Sequence, residues 1–321
     1  MEDCAVADPP YGVIWNRLRR GKVVPFLGAG ASMAARAPDA KWDPDNPASL
    51  PSGAELSRLL ADETSFPFSR PTETDDLATV SSYYCDMNGR RVLRERLREL
   101  LVGDYPCGAL HSFLASLEVP LVFVVTNYDT LLEKAFIAAN RAYDLVIHPA
   151  DRRDYANAVL WWPHGATEPH FREPNRLEQD IDLAHTTVIY KMHGSVCSGN
   201  ARWDNFVITE DDYVDFLSRM TTHTAVPSLF SSDFREKSFL FLGYGLKDWN
   251  LRVVLKNLGR DQAAREDGPS DDDELPRSWA IQRNPSEFER RLWEARGVSI
   301  FDIGIDEFID NLRRVAEGGR S

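Results

Sequence analysis

Short apolar runs, separated by longer stretches of mixed polarity, organise this chain. The first run, Val23–Leu27, contains two valines and ends in a turn of small residues. Runs of this kind are typical of strands that are buried on both faces of a parallel sheet. The same pattern predicts further strands at 121–126, 187–192, 206–209, 238–243, 279–282 and 298–302.

Amphipathic periodicity predicts helices between these runs. A first helix follows the Asp-Pro-Pro at 8–10, ends at Gly21 and is predicted to bury Val13, Ile14 and Leu18. Further helices are predicted at 54–62, 90–102, 129–140, 209–220, 248–258 and 306–316, and one begins at residue 286. Those at 209 and 286 start with the pattern Ser/Thr-x-x-Asp/Glu, which is typical of a capping box.

The order of these elements favours an α/β fold with a doubly wound parallel sheet, because strands and helices alternate. Residues 33–115 are predicted to form a mostly helical insertion after the first strand. Residues 150–183 are polar and irregular, too long for a passive connection, and 261–277 are predicted to be an exposed acidic loop. Residues 1–321 contain no repeat or flexible linker and are interpreted as a single domain.

The balance of charges limits the classes of partner. With 37 basic and 50 acidic residues, the net charge of −13 argues against direct nucleic-acid binding. The arginine-rich segment 90–98 is a local exception. Leucines at helical spacing run through it, so we interpret it as a solvated helix face rather than a basic binding patch.

Cysteine and apolar patterns limit the compartment. The four cysteines form no C-x-x-C pair, which argues against a cysteine zinc site or a disulfide framework. No stretch approaches the roughly 20 apolar residues of a membrane span, and the first residues carry no leader-like apolar core. A cytoplasmic protein without a metal site is therefore expected.

The first predicted strand ends in Gly28-Ala29-Gly30-Ala31-Ser32, here called the first glycine turn. A turn of small residues between a strand and a helix lets backbone N–H groups approach a phosphate. The pattern is neither Walker A nor a complete G-x-G-x-x-G, because Met33 stands where the third glycine would be. A glycine-rich turn without any ligand is the alternative.

Polar residues follow the next two predicted strands. Thr126, Asn127 and Asp129 come after the second strand, and His193 follows the strand at 187–192. A histidine at a strand end can act as a general base near neutral pH. Each of these residues has a structural alternative. Asp129 could cap the helix that follows it, and Asn127 could form an Asx turn. A histidine such as His193 is often structural. A second His-Gly at His164 follows no predicted strand and ranks below His193.

The strand at 238–243 ends in Gly243-Tyr244-Gly245, here called the second glycine turn, and Asp248 follows it. Asp248 would cap the next helix or meet a ribose hydroxyl. Ligands of open α/β sheets bind outside the carboxyl ends of the strands. Because four strands end in small or polar turns, these turns are expected to face one crevice.

At these positions the sequence resembles the sirtuin-like family. The shared pattern is a Gly-Ala-Gly-x-Ser turn at 28–32, Asn-x-Asp at 127–129, His-Gly at 193–194 and a glycine turn at 243–245, in the family's order. The resemblance extends from about residue 21 to residue 316. The phrases TNYDTLLEKAF, KMHGS and FLGYGLKDWNL look most like the prokaryotic branch that consumes NAD+ in antiphage defence.

The resemblance implies a sirtuin-like, Rossmann-like fold and an NAD+ glycohydrolase that releases nicotinamide and ADP-ribose, linear or cyclised. In that reading Asn127 orients the attacking water and His193 is the general base. The residues implied to bind NAD+ are Gly28, Ala29, Gly30, Ser32, Thr126, Asp129, Gly243, Tyr244 and Asp248. The transition state would resemble an oxocarbenium ion, as in glycoside hydrolysis.

Other activities of the resembling family remain as alternatives. A protein deacylase or ADP-ribosyltransferase is disfavoured, because the four-cysteine zinc module is missing and Pro38-Asp39 is followed by Ala40-Lys41 instead of Phe-Arg. A non-catalytic NAD or ADP-ribose sensor would need no base. Analogy at family level adds a homo-oligomer or a separately encoded regulatory partner, such as a helicase-type ATPase or an Argonaute-like protein.

Overall fold

The computed structural model describes residues 8–34, 36–37, 40–149, 158–221, 226–245 and 277–318. The helix predicted at 248–258, nearly all of the acidic loop predicted at 261–277, and Asp248 lie outside the described residues. Within the described part, no helix is long and apolar enough to cross a membrane.

A mixed sheet forms the centre of the molecule. In the described ranges its nine strands run in the order β11-β10-β9-β1-β2-β6-β3-β4-β5. The strands from β11 to β3 are parallel, and β4 and β5 add an antiparallel edge. The strands are β1 Val23–Leu27, β2 Val122–Val125, β3 Asp144–Ile147, β4 Val159–Trp162, β5 His170–Arg172, β6 Val188–Lys191, β9 Ser238–Leu242, β10 Ser278–Ile281 and β11 Val298–Phe301.

Helices cover both faces of this sheet, and a separate ribbon pairs β7 Gly194–Ser195 with β8 Asn205–Phe206. The helices are α1 Tyr11–Leu18, α2 Ala29–Ser32, α3 Gly53–Thr64, α4 Leu77–Asn88, α5 Arg90–Leu101, α6 Ala109–Ala115, α7 Leu131–Ala138, α8 Glu210–Thr221, α9 Ser231–Glu236, α10 Glu287–Glu294 and α11 Ile305–Gly318. Short 3₁₀ turns lie at Pro71–Asp75, Pro174–Gln179, Ala201–Trp203 and Ser228–Phe230.

Each central strand contributes side chains to two cores, one on each face of the sheet. In β1, Val24 and Phe26 belong to one hydrophobic cluster and Val23 and Leu27 to the other. All five residues of β1 are buried, as are those of β2, β6 and β9. The predicted α/β fold with its parallel, doubly wound sheet is therefore confirmed, and both predicted capping boxes form.

Three strands were not predicted from the sequence. Two of them, β4 and β5, lie in the region 150–183 that was expected to be irregular, and the third is β3. Asp144 begins β3 although it is charged. Its carboxylate accepts hydrogen bonds from Trp161 Nε1 (2.8 Å) and from the N–H of His164 (2.9 Å), which compensates its burial. The strand predicted at 206–209 is also corrected, because Phe206 pairs with β7 and not with the main sheet.

The solvated face predicted for α5 is present at Arg91, whose side chain is 89% exposed and pairs with Glu95 on the same helix. Two other arginines make contacts that the sequence did not predict. Arg90 bonds Asp212 (2.8 Å) and the Phe206 carbonyl, and Arg98 bonds Asp204 (2.8 Å). These contacts fasten α5 to the β7–β8 ribbon and to α8. A smaller correction concerns α1, where the predicted buried Val13 is exposed.

Candidate active site

The four polar strand ends singled out in the sequence belong to four consecutive strands, β9-β1-β2-β6. These strands are parallel, so their carboxyl ends lie at one edge of the sheet. From β1 the chain continues to β2 and β6 on one side and later to β9 on the other. The switch point between β1 and β9 is where ligands bind in open α/β sheets, and the two glycine turns meet there.

The two glycine turns pack backbone against backbone. The N–H of Gly30 donates to the carbonyl of Gly243 (2.8 Å). A Cβ on Gly28 would lie 2.6 Å from the Cα of Tyr244, and one on Gly243 would lie 2.2 Å from the nitrogen of Ala31. Glycine is thus required by the contact between the turns themselves, in addition to any ligand.

This packing uses several N–H groups of the first glycine turn. Gly28 donates to Leu242 (3.0 Å), Gly30 to Gly243, and Ala31 to the carbonyl of Gly28 (2.8 Å). Fewer donors than the sequence suggested are therefore left in this turn for an anion. The main contribution of this turn is a backbone surface without side chains, which a ligand can approach closely.

A hydrogen-bonded chain joins the first glycine turn to the end of β2. Asn127 Nδ2 donates to the Gly28 carbonyl (2.8 Å) and to Ser32 Oγ (2.6 Å), and Ser32 donates to Asp129 Oδ2 (2.6 Å). A carbonyl oxygen only accepts, so the amide nitrogen of Asn127 must face Gly28. Asn127 Oδ1 is then left buried, without a hydrogen-bond partner in the described part of the chain.

Two neighbours of Asn127 have structural contacts of their own. Asp129 Oδ1 accepts from the N–H of Leu131 (2.9 Å), so the capping alternative for Asp129 is realised together with the bond to Ser32. The Thr126 hydroxyl donates to the Leu27 carbonyl (3.2 Å) across to β1. Both side chains still line the cavity described below.

His193 follows β6 and is 5% exposed. Two rings of α8 meet its imidazole at nearly right angles, Tyr213 with 5.6 Å and Phe216 with 5.4 Å between ring centroids. Gly194 has φ +84, and a Cβ there would lie 2.1 Å from the Asn205 carbonyl oxygen, so the glycine of His-Gly is needed where β7 meets β8.

A second buried histidine, His148, lies at the end of β3. Its ring also meets Phe216, with 5.3 Å between centroids. Burial, followed by the positive charge of Arg219 and the nearness of His193, lowers the pKa of His148 to about 3. His148 is therefore neutral at physiological pH and adds no positive charge beside His193.

Most of the predicted residues line a cavity of about 250 Å³, whereas Gly28 lines neither this cavity nor the wider one described below. Ala29, Ser32, Thr126, Asn127, Asp129, His193, Gly243 and Tyr244 all line it. The helical segment after β1 supplies an apolar wall that the sequence did not single out, formed by Leu50, Leu56, Leu77 and Leu101. Tyr213 was also missed, because only the fold brings α8 beside His193.

A wider cavity of about 700 Å³ adjoins the first. Both are lined by Ser52 and by the second glycine turn. Gly30 lines the wider one, together with the cationic side chains of Arg36, Lys41 and Arg283. Two carboxylates, Glu55 and Asp306, line it as well. An elongated ligand can therefore extend from His193 past the glycine turns to a region of mixed charge.

An ion pair fastens the wall of the wider cavity. Arg36 donates two hydrogen bonds of 2.7 Å to the carboxylate of Glu55 in α3. The Arg36 guanidinium, opposed by partial burial, holds the pKa of Glu55 down at about 2. Glu55 also completes a capping box with Ser52. The same side chain therefore caps α3 and holds Arg36 in the wall of the wider cavity.

Replacing Glu55 by glutamine is expected to cost about 1 kcal/mol at pH 7, because the pair is partly solvated. Glutamine preserves the capping box, so the change isolates the ion pair. The folded pKa lies below the unfolded value of about 4.3, so the stabilisation is complete above pH 4.3 and is lost as the pH falls toward 2. Thermal unfolding of both proteins from pH 7 to pH 3 measures this, and a difference independent of pH would contradict it.

The competing His-Gly lies elsewhere. His164 is exposed and does not line either cavity. Contrary to the sequence-based expectation a strand, β4, directly precedes it. That strand runs antiparallel to β3, so its carboxyl end lies at the opposite edge of the sheet.

The sequence is similar to those of several known proteins. The NAD(+) hydrolase ThsA of Enterococcus faecium is 26% identical over 243 residues, which cover 75% of this chain and 41% of that protein. ThsA of Acinetobacter baumannii (strain 532279) is 28% identical over 232 residues, covering 72% and 38%. Defense-associated sirtuin 2 of Bacillus subtilis is 20% identical over 287 residues, covering 88% and 23%. The chain spans about two fifths or less of the length of these relatives.

A family model described as the SIR2-like domain matches residues 121–301, which is more than half of the chain. The matched segment includes the strand ends that carry Asn127 and His193, and it reaches through the second glycine turn. The expected resemblance is thereby confirmed, and this chain belongs to the SIR2-like domain family.

Proposed function

We propose that this chain is an NAD+ glycohydrolase, which cleaves NAD+ to nicotinamide and ADP-ribose. The observation that carries the proposal is the shared cavity of Asn127 and His193. Among the described residues the buried Oδ1 of Asn127 has no hydrogen-bond partner. The cavity lies next to the switch point between β1 and β9, and its lining includes His193, a residue type that can accept a proton. The relatives named NAD(+) hydrolase support the same reaction.

The smaller cavity is assigned to the nicotinamide ribose and the wider one to the rest of the dinucleotide. In this arrangement Ala29, Ser32, Asp129 and Tyr244 bound the reacting half. The pyrophosphate passes the first glycine turn at Gly30, which lines the wider cavity, while the role implied for Gly28 is kept as part of the proposal. Asp248 keeps the ribose role expected for it from the sequence as part of the proposal.

The chemistry follows from the charge of the substrate. Nicotinamide departs as a neutral molecule when the glycosidic bond breaks and its electron pair goes to the ring nitrogen, so little acid assistance is needed. Positive charge then develops on the ribose, as in glycoside hydrolysis. Asn127 Oδ1 accepts a hydrogen bond from the attacking water and orients it. His193 takes the proton that this water loses as its oxygen bonds to the ribose carbon.

The hydrogen-bonded chain of the site keeps the acceptor of Asn127 in place. Its amide nitrogen is held by Gly28 and Ser32, and Ser32 is held in turn by Asp129. A side chain fixed at its donor end presents its oxygen in one orientation, which is the preorganisation that hydrolysis requires.

NAD+ loss by the purified chain, compared with Asn127→Ala, tests the proposal. We expect wild-type hydrolysis and a fall of about 10²-fold or more in the variant, because water loses its orienting acceptor. Chromatography of the products identifies ADP-ribose or its cyclised form. Hydrolysis at the wild-type rate by Asn127→Ala would remove that residue from the mechanism.

The same assay separates the rival activities. Nicotinamide release that depends on an acetylated peptide would indicate a deacylase. Nicotinamide release accompanied by attachment of ADP-ribose to a protein would indicate ADP-ribosyl transfer. Tight NAD+ binding without any loss would indicate a sensor. Release from NAD+ alone supports the hydrolase.

The setting of the reaction is also part of the proposal. The names of the relatives, NAD(+) hydrolase and defense-associated sirtuin, support a defence effector that hydrolyses NAD+. The antiphage role and the cytoplasmic location expected from the sequence are kept as part of the proposal. Unrestrained NAD+ loss would harm the host, so control by self-association or by a separately encoded partner is proposed with it. Light scattering with and without NAD+ measures self-association.

A further inference from the structure

Two charged residues of the phrases KMHGS and TNYDTLLEKAF, Lys191 and Glu133, line neither cavity yet lie directly beneath the site. Lys191 is the last residue of β6, two positions before His193, and is 0% exposed. Its Nζ donates a hydrogen bond to the backbone carbonyl of Asp129 and lies 3.4 Å from Glu133 Oε1.

The pair is isolated from solvent, and the carboxylate of Asp129 is near enough to act on Glu133. Glu133 is 5% exposed, and neither of its oxygens has a hydrogen-bond partner among the described residues. Burial raises the pKa of its carboxyl, and the charge of Lys191 opposes that rise. The neighbouring His111 is buried too, and its Nδ1 accepts from the Gly108 N–H (3.3 Å).

Such a pair is a poor device for stability alone. Removing two charges from water costs about as much as their attraction returns, and apolar residues of similar volume often stabilise a fold equally well. The pair's position explains what it does instead. Lys191 connects the strand that carries His193 to the turn that carries Asn127, through the Asp129 carbonyl.

We propose that Lys191, held by Glu133, is a positioning residue that fixes the Asn127 turn relative to His193. The inference rests on the proposed hydrolase function. Asp129 is already held by Ser32 and by the N–H of Leu131 on the β1 and α7 sides. Beyond His193, the Tyr128 carbonyl accepts from the N–H of Val196 (2.8 Å) and from Ser195 Oγ (3.2 Å), which ties the turn to the β7 segment. Lys191 adds the tie on the near side of His193, from the last residue of β6 to the Asp129 carbonyl.

The double variant Lys191→Met/Glu133→Met tests the proposal without leaving a lone buried charge. We expect a melting temperature within a few degrees of wild type and a KM for NAD+ within about threefold. We expect kcat to fall about 10- to 100-fold, because a displacement of the order of 1 Å has such an effect. A purely structural role would not separate kcat from KM and melting temperature in this way.

Ile189→Val is the matched control. Ile189 is fully buried and lies two residues earlier on the same face of β6, but it makes no polar contact with the site. Wild-type kcat in this variant is expected. Wild-type kcat in the double variant, or an equal loss in Ile189→Val, would overturn the proposal.

A measurement independent of turnover separates this inference from the proposed function. In NMR spectra with labelled histidine rings, the His193 signals are expected to shift or broaden in the double variant and to stay in place in Ile189→Val. Unchanged His193 signals would overturn the inference even if the chain hydrolyses NAD+. Absence of hydrolysis by the wild type would instead count against the hydrolase itself.

Discussion

Replacing His193 by alanine is expected to lower kcat for NAD+ hydrolysis by about 10²–10⁴-fold, the usual contribution of a general base. The imidazole is the proton acceptor proposed beside Asn127, and it is held between Tyr213 and Phe216. Alanine leaves space between these rings, with an expected loss of about 1–3 kcal/mol in the free energy of unfolding. NAD+ loss at saturating substrate, measured beside a melting curve, separates the two effects.

His164→Ala is the control for that experiment. The residue belongs to the chain's other His-Gly, but it is exposed at the end of an antiparallel strand, outside both cavities. Its removal is expected to leave kcat within about twofold of wild type. Wild-type turnover by His193→Ala would exclude the proposed base, and a large loss in His164→Ala would transfer the role to the second His-Gly.

The sequence predicted the centre of the fold well because the signal there is local. Strands β1, β2, β6 and β9 are buried on both faces, so each is a continuous apolar run that ends in a turn of small or polar residues. Parallel strands bring such ends to one edge without any further information. This is why residues far apart in the chain could be assigned to one crevice.

The edge of the sheet could not be predicted in the same way. β3 begins with the charged Asp144, whose burial is compensated by Trp161 and the His164 N–H only once β4, itself not predicted, pairs with β3. β5 has two exposed residues out of three and no apolar pattern. The role of Arg90 was equally hidden, since Asp212 becomes its partner only after folding.

In the candidate site, too, some features could be predicted from the sequence and others could not. The types and order of Asn127, Ser32 and His193 were readable, and the structure lines one cavity with them. The mutual packing of the glycine turns was not readable, because each glycine pattern is equally compatible with a ligand. Lys191 gave no signal either, since a lysine that ends an apolar strand is usually solvated.

Gly243→Ala is expected to disrupt the junction of the two glycine turns and to be strongly destabilising. The residue has φ +63, where an alanine costs about 1–2 kcal/mol. Its Cβ would also lie 2.2 Å from the nitrogen of Ala31 and 2.4 Å from the carbonyl carbon of Gly30, and backbone cannot turn aside as a side chain can. Overpacking of this kind adds about 1–3 kcal/mol. Because Gly30 accompanies the displaced backbone, NAD+ affinity is expected to fall as well.

Gly245→Ala provides the matched comparison for stability. It lies in the same turn, but no atom of the described residues stands within 4 Å of the position a Cβ would take there. Chemical denaturation of both variants is expected to show a loss of about 2–5 kcal/mol for Gly243→Ala and less than about 1 kcal/mol for Gly245→Ala. Equal stabilities would mean that the turns do not depend on their contact, and that the glycines serve the ligand alone. A Gly243→Ala protein that is destabilised but binds NAD+ as tightly as wild type would show that the junction holds the fold without shaping the site.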